Sequence, residues 1–384
     1  MDRHSTFPGV EDLKNRARAR IPKFVWEYLD SGTGSEATKA RNRTSLDRVQ
    51  FAPSILHGPQ DPDLSVDLLG QRFPLPFGAA PIGMSGLIWP RAEQLLARAL
   101  AQAELPYTLS TVASQSPEDM AAHIGPQAWF QMYPPKKEEI RKDLLARARD
   151  AGFGTLVLTV DVPVASRRER QTRSGLTQPP KLTPRLLAQI ATRPTWARGM
   201  AQNGMPHMRT LDKYIEKAQA NLPPTAHIGY ILRTSPDMDY VRWLRDHWDG
   251  PFVIKGVLRA SDAAPLEAMG VDALWISNHA GRQFDAAPAT IDVLPDIRAA
   301  TTLPLIFDSG IEGGLDILRA LALGADFVML GRAFHFALGA LGADGPAHLI
   351  DMLRLDMVSN MGQMGVDRLT DLPQPIHSER PRTI

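Results

Sequence analysis

In the run Ser277-Asn278-His279-Ala280-Gly281-Arg282-Gln283-Phe284-Asp285 an imidazole stands three residues ahead of a guanidinium, directly after the apolar stretch Ala273-Leu274-Trp275-Ile276. That pairing suits oxidation of a 2-hydroxy acid. Arg282 offers a planar fork for a carboxylate, and His279 can take a proton near neutral pH from the adjacent carbon or its hydroxyl. An isolated His-x-x-Arg reads more readily as a polar loop that satisfies backbone carbonyls. The chemistry therefore depends on what else the chain brings to the same place.

Short apolar runs bounded by turn residues predict eight strands: Leu75 to Ala80, Tyr107 to Ser110, Trp129 to Tyr133, Leu156 to Asp161, Phe252 to Lys255, Ala273 to Ser277, Leu305 to Asp308 and Phe327 to Leu330. Helical patterns follow most of them, such as Glu138 to Arg149, with Ile140, Leu144, Leu145 and Ala148 on one face. Eight alternating units predict a closed (β/α)8 barrel of the TIM type, an α/β fold whose active site lies at the C-terminal strand ends. Those ends read Ser110, Gln131 and Tyr133, Thr159 and Asp161, Lys255, Ser277 to His279, Asp308, and Gly331-Arg332. A barrel with only a structural role has no reason to end nearly every strand in a polar group. The glycines of Asp308-Ser309-Gly310 and Gly313-Gly314 after strand seven, and Gly331-Arg332 after strand eight, form the two loops where such barrels anchor a phosphate.

The chain is expected to be one domain over residues 1–384, with residues 1 to about 70 as a helical cap and a long active-face insertion over 165–240 after strand four. Loops of that length at an active face act as lids or contact surfaces. With 43 Lys and Arg against 42 Asp and Glu, the formal charge of +1 gives no case for nucleic acid. There are no cysteines, which excludes disulfides, thiolate metal sites and any Cys nucleophile; no metal site is expected. The N-terminus has no apolar signal-like stretch and the chain no run of about 18 apolar residues, so the expected location is cytoplasmic, soluble or peripheral.

The His279 run resembles the S-N-H-G-[GA]-R-Q-L-D signature of the FMN-dependent 2-hydroxy-acid oxidases and dehydrogenases, a family that includes glycolate oxidase, lactate dehydrogenases and oxidases, and mandelate dehydrogenase. Seven of the nine positions agree; Ala280 and Phe284 depart from the usual Gly and Leu. The resemblance extends from Ile21-Pro22-Lys23 to about Gly362 and implies FMN as cofactor, a small 2-hydroxy acid as substrate and a homotetramer. It implies His279 as the base, Asp161 as its partner and Lys255 near the flavin pyrimidine edge. Tyr28, Tyr133, Arg168 and Arg282 are implied as the substrate-binding residues. For FMN it implies Ile82, Gly83, Ser110, Gln131, Thr159, Lys255, Ser277, Asp308, Gly310, Gly331 and Arg332. Glu312 stands where the family usually has a phosphate-binding Arg, which predicts that the cofactor is held by Arg332 and backbone amides or is held less tightly.

Gly83 occupies a position where oxidases of this family carry Ala and the mandelate dehydrogenase branch carries Gly, and Gly86-Leu87-Ile88-Trp89-Pro90 also looks like that branch. The reading is a dehydrogenase that passes electrons to a quinone; the alternatives are an oxygen-using oxidase that makes hydrogen peroxide, and a flavin-binding protein without catalysis. A nucleotide-dehydrogenase barrel would need the Cys nucleophile the chain lacks. Small residues at Val112 and Ala165 predict room for a bulky substrate side chain. From Arg170 to Leu211 there are seven basic residues and no acidic one, with Leu186, Leu187, Ile190, Trp196 and Met200 as apolar bulk. That composition predicts either a peripheral membrane contact on the inner face through an interfacial Trp, or a mobile lid or oligomer contact.

Overall fold

The computed structural model describes residues 2–176, 183–215 and 234–377. Eight strands form one parallel sheet: β1 (Phe77–Ala79), β2 (Thr108–Ser110), β3 (Trp129–Met132), β4 (Thr155–Thr159), β5 (Phe252–Val257), β6 (Ala273–Ile276), β7 (Leu305–Phe307) and β8 (Phe327–Leu330). Each pairs with its sequence neighbour from β2 to β8, and β8 pairs back onto β1 through Val328 opposite Phe77 and Leu330 opposite Ala79. The last seam, β1 to β2, is closed by a bridge between Ala79 and Tyr107, with Ala79 N–H donating to Pro106 O at 2.9 Å. The result is the (β/α)8 barrel. All strand residues are buried except Gly256, which is why the strands read as unbroken apolar runs instead of alternating ones.

After a single N-terminal turn of helix (Arg3–Thr6), three longer helices precede the barrel, α1 (Val10–Arg20), α2 (Lys23–Asp30) and α3 (Ala37–Asp47). In α2, which starts behind Pro22, residues Phe24, Val25, Trp26, Tyr28, Leu29 and Asp30 are all buried. The helical character expected up to about residue 70 ends at Asp47. Pro53, Pro59 and Pro62 lack the N–H that a helix interior needs, and this stretch runs without regular secondary structure. It leads into an antiparallel hairpin, Val66–Leu68 with Gln71–Phe73, that turns at Leu69-Gly70 with both residues at positive φ. Leu68 and Phe73 are buried with Trp129, Val253, Trp275 and Phe327, so the hairpin stoppers the end of the barrel opposite the strand C-termini.

The insertion between β4 and β5 contains α4 (Glu169–Ser174), α5 (Pro184–Ala191) and α6 (Pro194–Asn203). After β7 comes α7 (Gly314–Ala322), and after β8 come α8 (Arg332–Leu341) and α9 (Gly345–Met364). Helix α1 crosses α8 so closely that a Cβ on Gly339 would stand 2.9 Å from Ala17 Cβ. The cap is thereby clamped to the helix that follows the last strand.

Candidate active site

The C-terminal strand ends enclose a cavity of about 400 Å³. Two glycine-dependent backbone features shape its catalytic side. In β5 a register shift falls at Gly256, whose φ is +112°; a Cβ there would lie 2.6 Å from Asp161 Cβ, so Gly256 lets Asp161 pass close behind the strand. After β6, His279, Ala280 and Gly281 adopt left-handed φ of 54°, 54° and 73°. A Cβ on Gly281 would sit 2.6 Å from Lys39 N, against the start of α3. Ala280 holds this left-handed conformation with a Cβ present, which costs on the order of 1 kcal/mol. The turn is pinned by Asn278 Oδ1, which accepts from Gly281 N–H at 3.2 Å, and by Ser309 Oγ, which accepts from Ala280 N–H at 3.1 Å. Phe284, the other departure, is exposed and turned away from the cavity.

This turn presents His279 with Nδ1 at 3.0 and 3.2 Å from the two oxygens of Asp161. Burial raises the Asp161 pKa, but the His279 and Lys255 charges outweigh it and hold the carboxyl below its usual range. An ionised carboxylate only accepts, so Nδ1 carries the proton and Nε2 is the free base. Burial lowers the His279 pKa below its ordinary value, and Asp161 recovers only part of that drop. The ring is neutral at physiological pH, as a base must be.

Arg282, Arg168, Tyr28 and Tyr133 line the same cavity. Arg282 Nη1 donates to the carbonyls of Tyr28, Leu29 and Ser31 at 2.9, 3.3 and 2.7 Å, and none of these bonds uses Nε or Nη2. Burial, with Arg168 nearby, pushes its pKa down to about 9. It stays cationic at neutral pH, and crowded guanidiniums in a desolvated mouth make an anion site. Arg168 Nε donates to Ser166 Oγ at 3.0 Å. The Tyr28 hydroxyl donates to Gly83 O at 2.8 Å. A substrate would receive that proton only by exchange with the carbonyl.

One wall of the cavity carries a hydrogen-bonded row across three strands: Ser110 Oγ donates to Gln131 Oε1 at 2.8 Å, and Gln131 Nε2 to Thr159 Oγ1 at 2.8 Å. Next along, the buried Lys255 Nζ donates to Ser277 Oγ at 2.6 Å and pairs with Asp308 Oδ2 at 3.0 Å. Burial lowers the Lys255 pKa, but Asp308 and Asp161 more than offset this, so it stays protonated. Asp308 also accepts from Trp275 Nε1 at 2.9 Å and Ser309 Oγ at 2.6 Å. Ile82, Gly83, Gly310, Gly331 and Arg332 line the cavity beside them, with Arg332 Nη1 3.3 Å from Asp30 O. A polar edge, a buried cation and side-chain-free glycine backbone fit a flavin ring and its ribityl phosphate. Glu312 lines this cavity too, and a carboxylate suits a phosphate poorly.

The sequence reading overlooked a clamp behind Arg168. Arg170 bonds Glu27, Asp30 and Glu36 of the cap at 2.7, 3.0 and 2.9 Å, which ties α4 to α2. Its signal was an ordinary surface charge run. The insertion also supplies Leu176 and Met208 to the cavity wall, beside Val112 and Ala165. The interfacial Trp expectation fails, because Trp196 is 1% exposed, lies edge-on to Phe24 and donates Nε1–H to Leu87 O. Leu186 and Met200 are buried as well, and among these apolar residues Leu187 alone is exposed. The apolar faces of α5 and α6 fold onto the protein because the cap offers them a surface. Lys181 of the basic set lies outside the described residues.

A family model described as FMN-dependent dehydrogenase matches residues 17–378. The chain is 36% identical over 364 residues to an L-lactate dehydrogenase of Ectopseudomonas mendocina (strain ymp), covering 94% of this chain and 96% of that one. Among solved structures it resembles the monotopic membrane protein (S)-mandelate dehydrogenase, with a TM-score of 0.89, 31% identity and coverage of 96% and 99%. It also resembles a (putative) lactate oxidase of Pediococcus acidilactici, with a TM-score of 0.83, 28% identity and coverage of 97% and 96%.

Proposed function

Because the chain belongs to the FMN-dependent dehydrogenase family, we propose that it oxidises an L-2-hydroxy acid to the 2-keto acid. The observation that carries this reading is the His279–Asp161 couple, which shares one cavity with Arg168 and Arg282. The substrate carboxylate sits between Arg282, through the nitrogens its carbonyl bonds leave, and Arg168, with Tyr133 and Tyr28 at the same end. His279 Nε2 takes the proton, from Cα or from the hydroxyl, and Asp161 stabilises the imidazolium that forms. Ser110, Gln131 and Thr159 would hold the flavin ring edge, the backbone of Ile82 and Gly83 would line the ring, and Asp308 would hold the ribityl chain. Gly310, Gly331 and Arg332 receive the phosphate. When bound, FMN supplies the two-electron acceptor. Lys255, fixed by Ser277 and Asp308, keeps positive charge at the pyrimidine edge.

The finer reading is a dehydrogenase that delivers electrons to a quinone from a peripheral position on the inner face of a membrane, as a homotetramer. Gly83 supports the dehydrogenase, as does the likeness to a monotopic relative. Arg173, Arg185 and Arg198 are exposed on the insertion, as is Leu187, and no ion pair among the described residues involves these three arginines. No helix among the described residues is long and apolar enough to cross a membrane. The test is anaerobic reduction of the bound flavin with glycolate, lactate, mandelate, and long-chain and dicarboxylic 2-hydroxy acids, followed by reoxidation with a quinone or with oxygen. No bleaching by any of these acids would overturn the activity. Fast peroxide formation without quinone turnover would make it an oxidase, and failure to sediment with anionic vesicles at low salt would leave the insertion as a lid.

A further inference from the structure

We infer that His335 is a positioning residue for the flavin, one that ties the loop after β1 to the loop after β8; the inference rests on the FMN reading above. His335 lies in α8 within the buried run Ala333 to Ala340 and is 1% exposed. An imidazole in an apolar helix face needs partners for both nitrogens. It has them: Nδ1 is 2.9 Å from Gly331 O, and Nε2 is 2.7 Å from Ser85 Oγ. The carbonyl only accepts, so Nδ1 carries the hydrogen. Burial pushes the pKa down to about 4, the ring is neutral, and the Ser85 hydroxyl must be the donor to Nε2.

Each partner leads to a backbone segment of the cofactor wall. Gly331 opens the phosphate loop. The same Ser85 hydroxyl hydrogen is shared with Ile82 O, 3.0 Å from Oγ, and a Cβ on Gly331 would stand 3.2 Å from Ile82 Cδ1, so the two loops touch where the histidine bridges them. A ring edge on Ile82-Gly83 and a phosphate on Gly331-Arg332 need a fixed separation between these loops. His335–Ser85 sets that separation from behind, without touching the flavin.

The test is FMN titration of apoprotein for wild type, His335→Leu, Ser85→Ala and the double variant, followed by flavin fluorescence quenching, with thermal midpoints of each apoprotein. His335→Leu keeps bulk and apolarity, and Ser85→Ala is the milder variant should the first fold poorly. Each single substitution is expected to weaken FMN about tenfold, the scale of one buried hydrogen bond. The double variant should be no weaker than the worse single, because both remove one bridge. Lower apoprotein midpoints with unchanged FMN affinity would mean that the pair only fills the core, and would overturn the inference. Wild-type protein that takes up no FMN would overturn the cofactor reading and this inference with it.

Discussion

His335→Leu also separates acid stability from everything else in the barrel. The ring titrates at about 4 in the fold against about 6.5 in an unfolded chain. Above pH 6.5 neither state binds the proton, and the fold keeps its full stability from this group. As pH falls from 6.5 towards 4 the unfolded chain binds a proton that the buried ring refuses, so stability is lost through that window. A gap of about 2.5 pKa units at 1.36 kcal/mol each, less the half-protonation of the folded ring at pH 4, gives a loss of about 3 kcal/mol. The variant has no titrating group there, and every other carboxylate and histidine is common to both proteins. Urea unfolding at pH 7, 6, 5 and 4, with the same large excess of FMN throughout, should therefore show the variant losing about 3 kcal/mol less than wild type. Parallel losses would refute a neutral, water-free ring and with it the assignment of the Ser85 hydroxyl as donor.

Three further perturbations address the site itself. His279→Gln should slow flavin reduction by about 100-fold to 10,000-fold with FMN still bound, and the acid limb of kcat/KM in wild type should have its midpoint below 6.5, because burial favours the neutral base; near-normal stopped-flow reduction, or a limb well above 6.5, would remove His279 from the role. Gly83→Ala places a Cβ 2.6 Å from Val112 Cγ2, so it should destabilise the protein by roughly 1–3 kcal/mol and Val112→Ala should restore it; a thermal midpoint unmoved by the single change would mean that the loop yields freely. Glu312→Arg should tighten FMN in the same titration, and unchanged affinity would place that side chain away from the phosphate.

The barrel was legible because parallel strands buried on both faces spell themselves as apolar runs, and because polar residues such as Ser110, Lys255 and Asp308 interrupt those runs at the strand ends. What was lost lies between elements far apart in sequence. Trp196 reads as an anchor until α6 meets Phe24 of the cap, and Arg170 reads as surface charge until Glu27, Asp30 and Glu36 converge on it. The proton of Tyr28 goes to Gly83 O and three carbonyls of the cap claim Arg282 Nη1, partnerships that spacing along the chain cannot display. His335 was hidden for the opposite reason: in Phe334-His335-Phe336 a helix period marks it as core, which it is, and its polarity shows only once Ser85 is seen behind it.

The pairing of β8 onto β1 sets an order of events during synthesis. The edge of β1 is left without its partner until Leu330 has been made, about 250 residues after Ala79. At 5–20 residues per second that wait is roughly ten to fifty seconds, during which Phe77 and its neighbours face water with an open row of backbone donors and acceptors. Tyr28, near the start of the chain, meets Arg282 only after most of the barrel exists. A ribosome-bound chain therefore carries the unsealed sheet for most of its growth, and a holding chaperone that covers apolar strand edges would raise the yield of soluble protein more than one that speeds a late rearrangement.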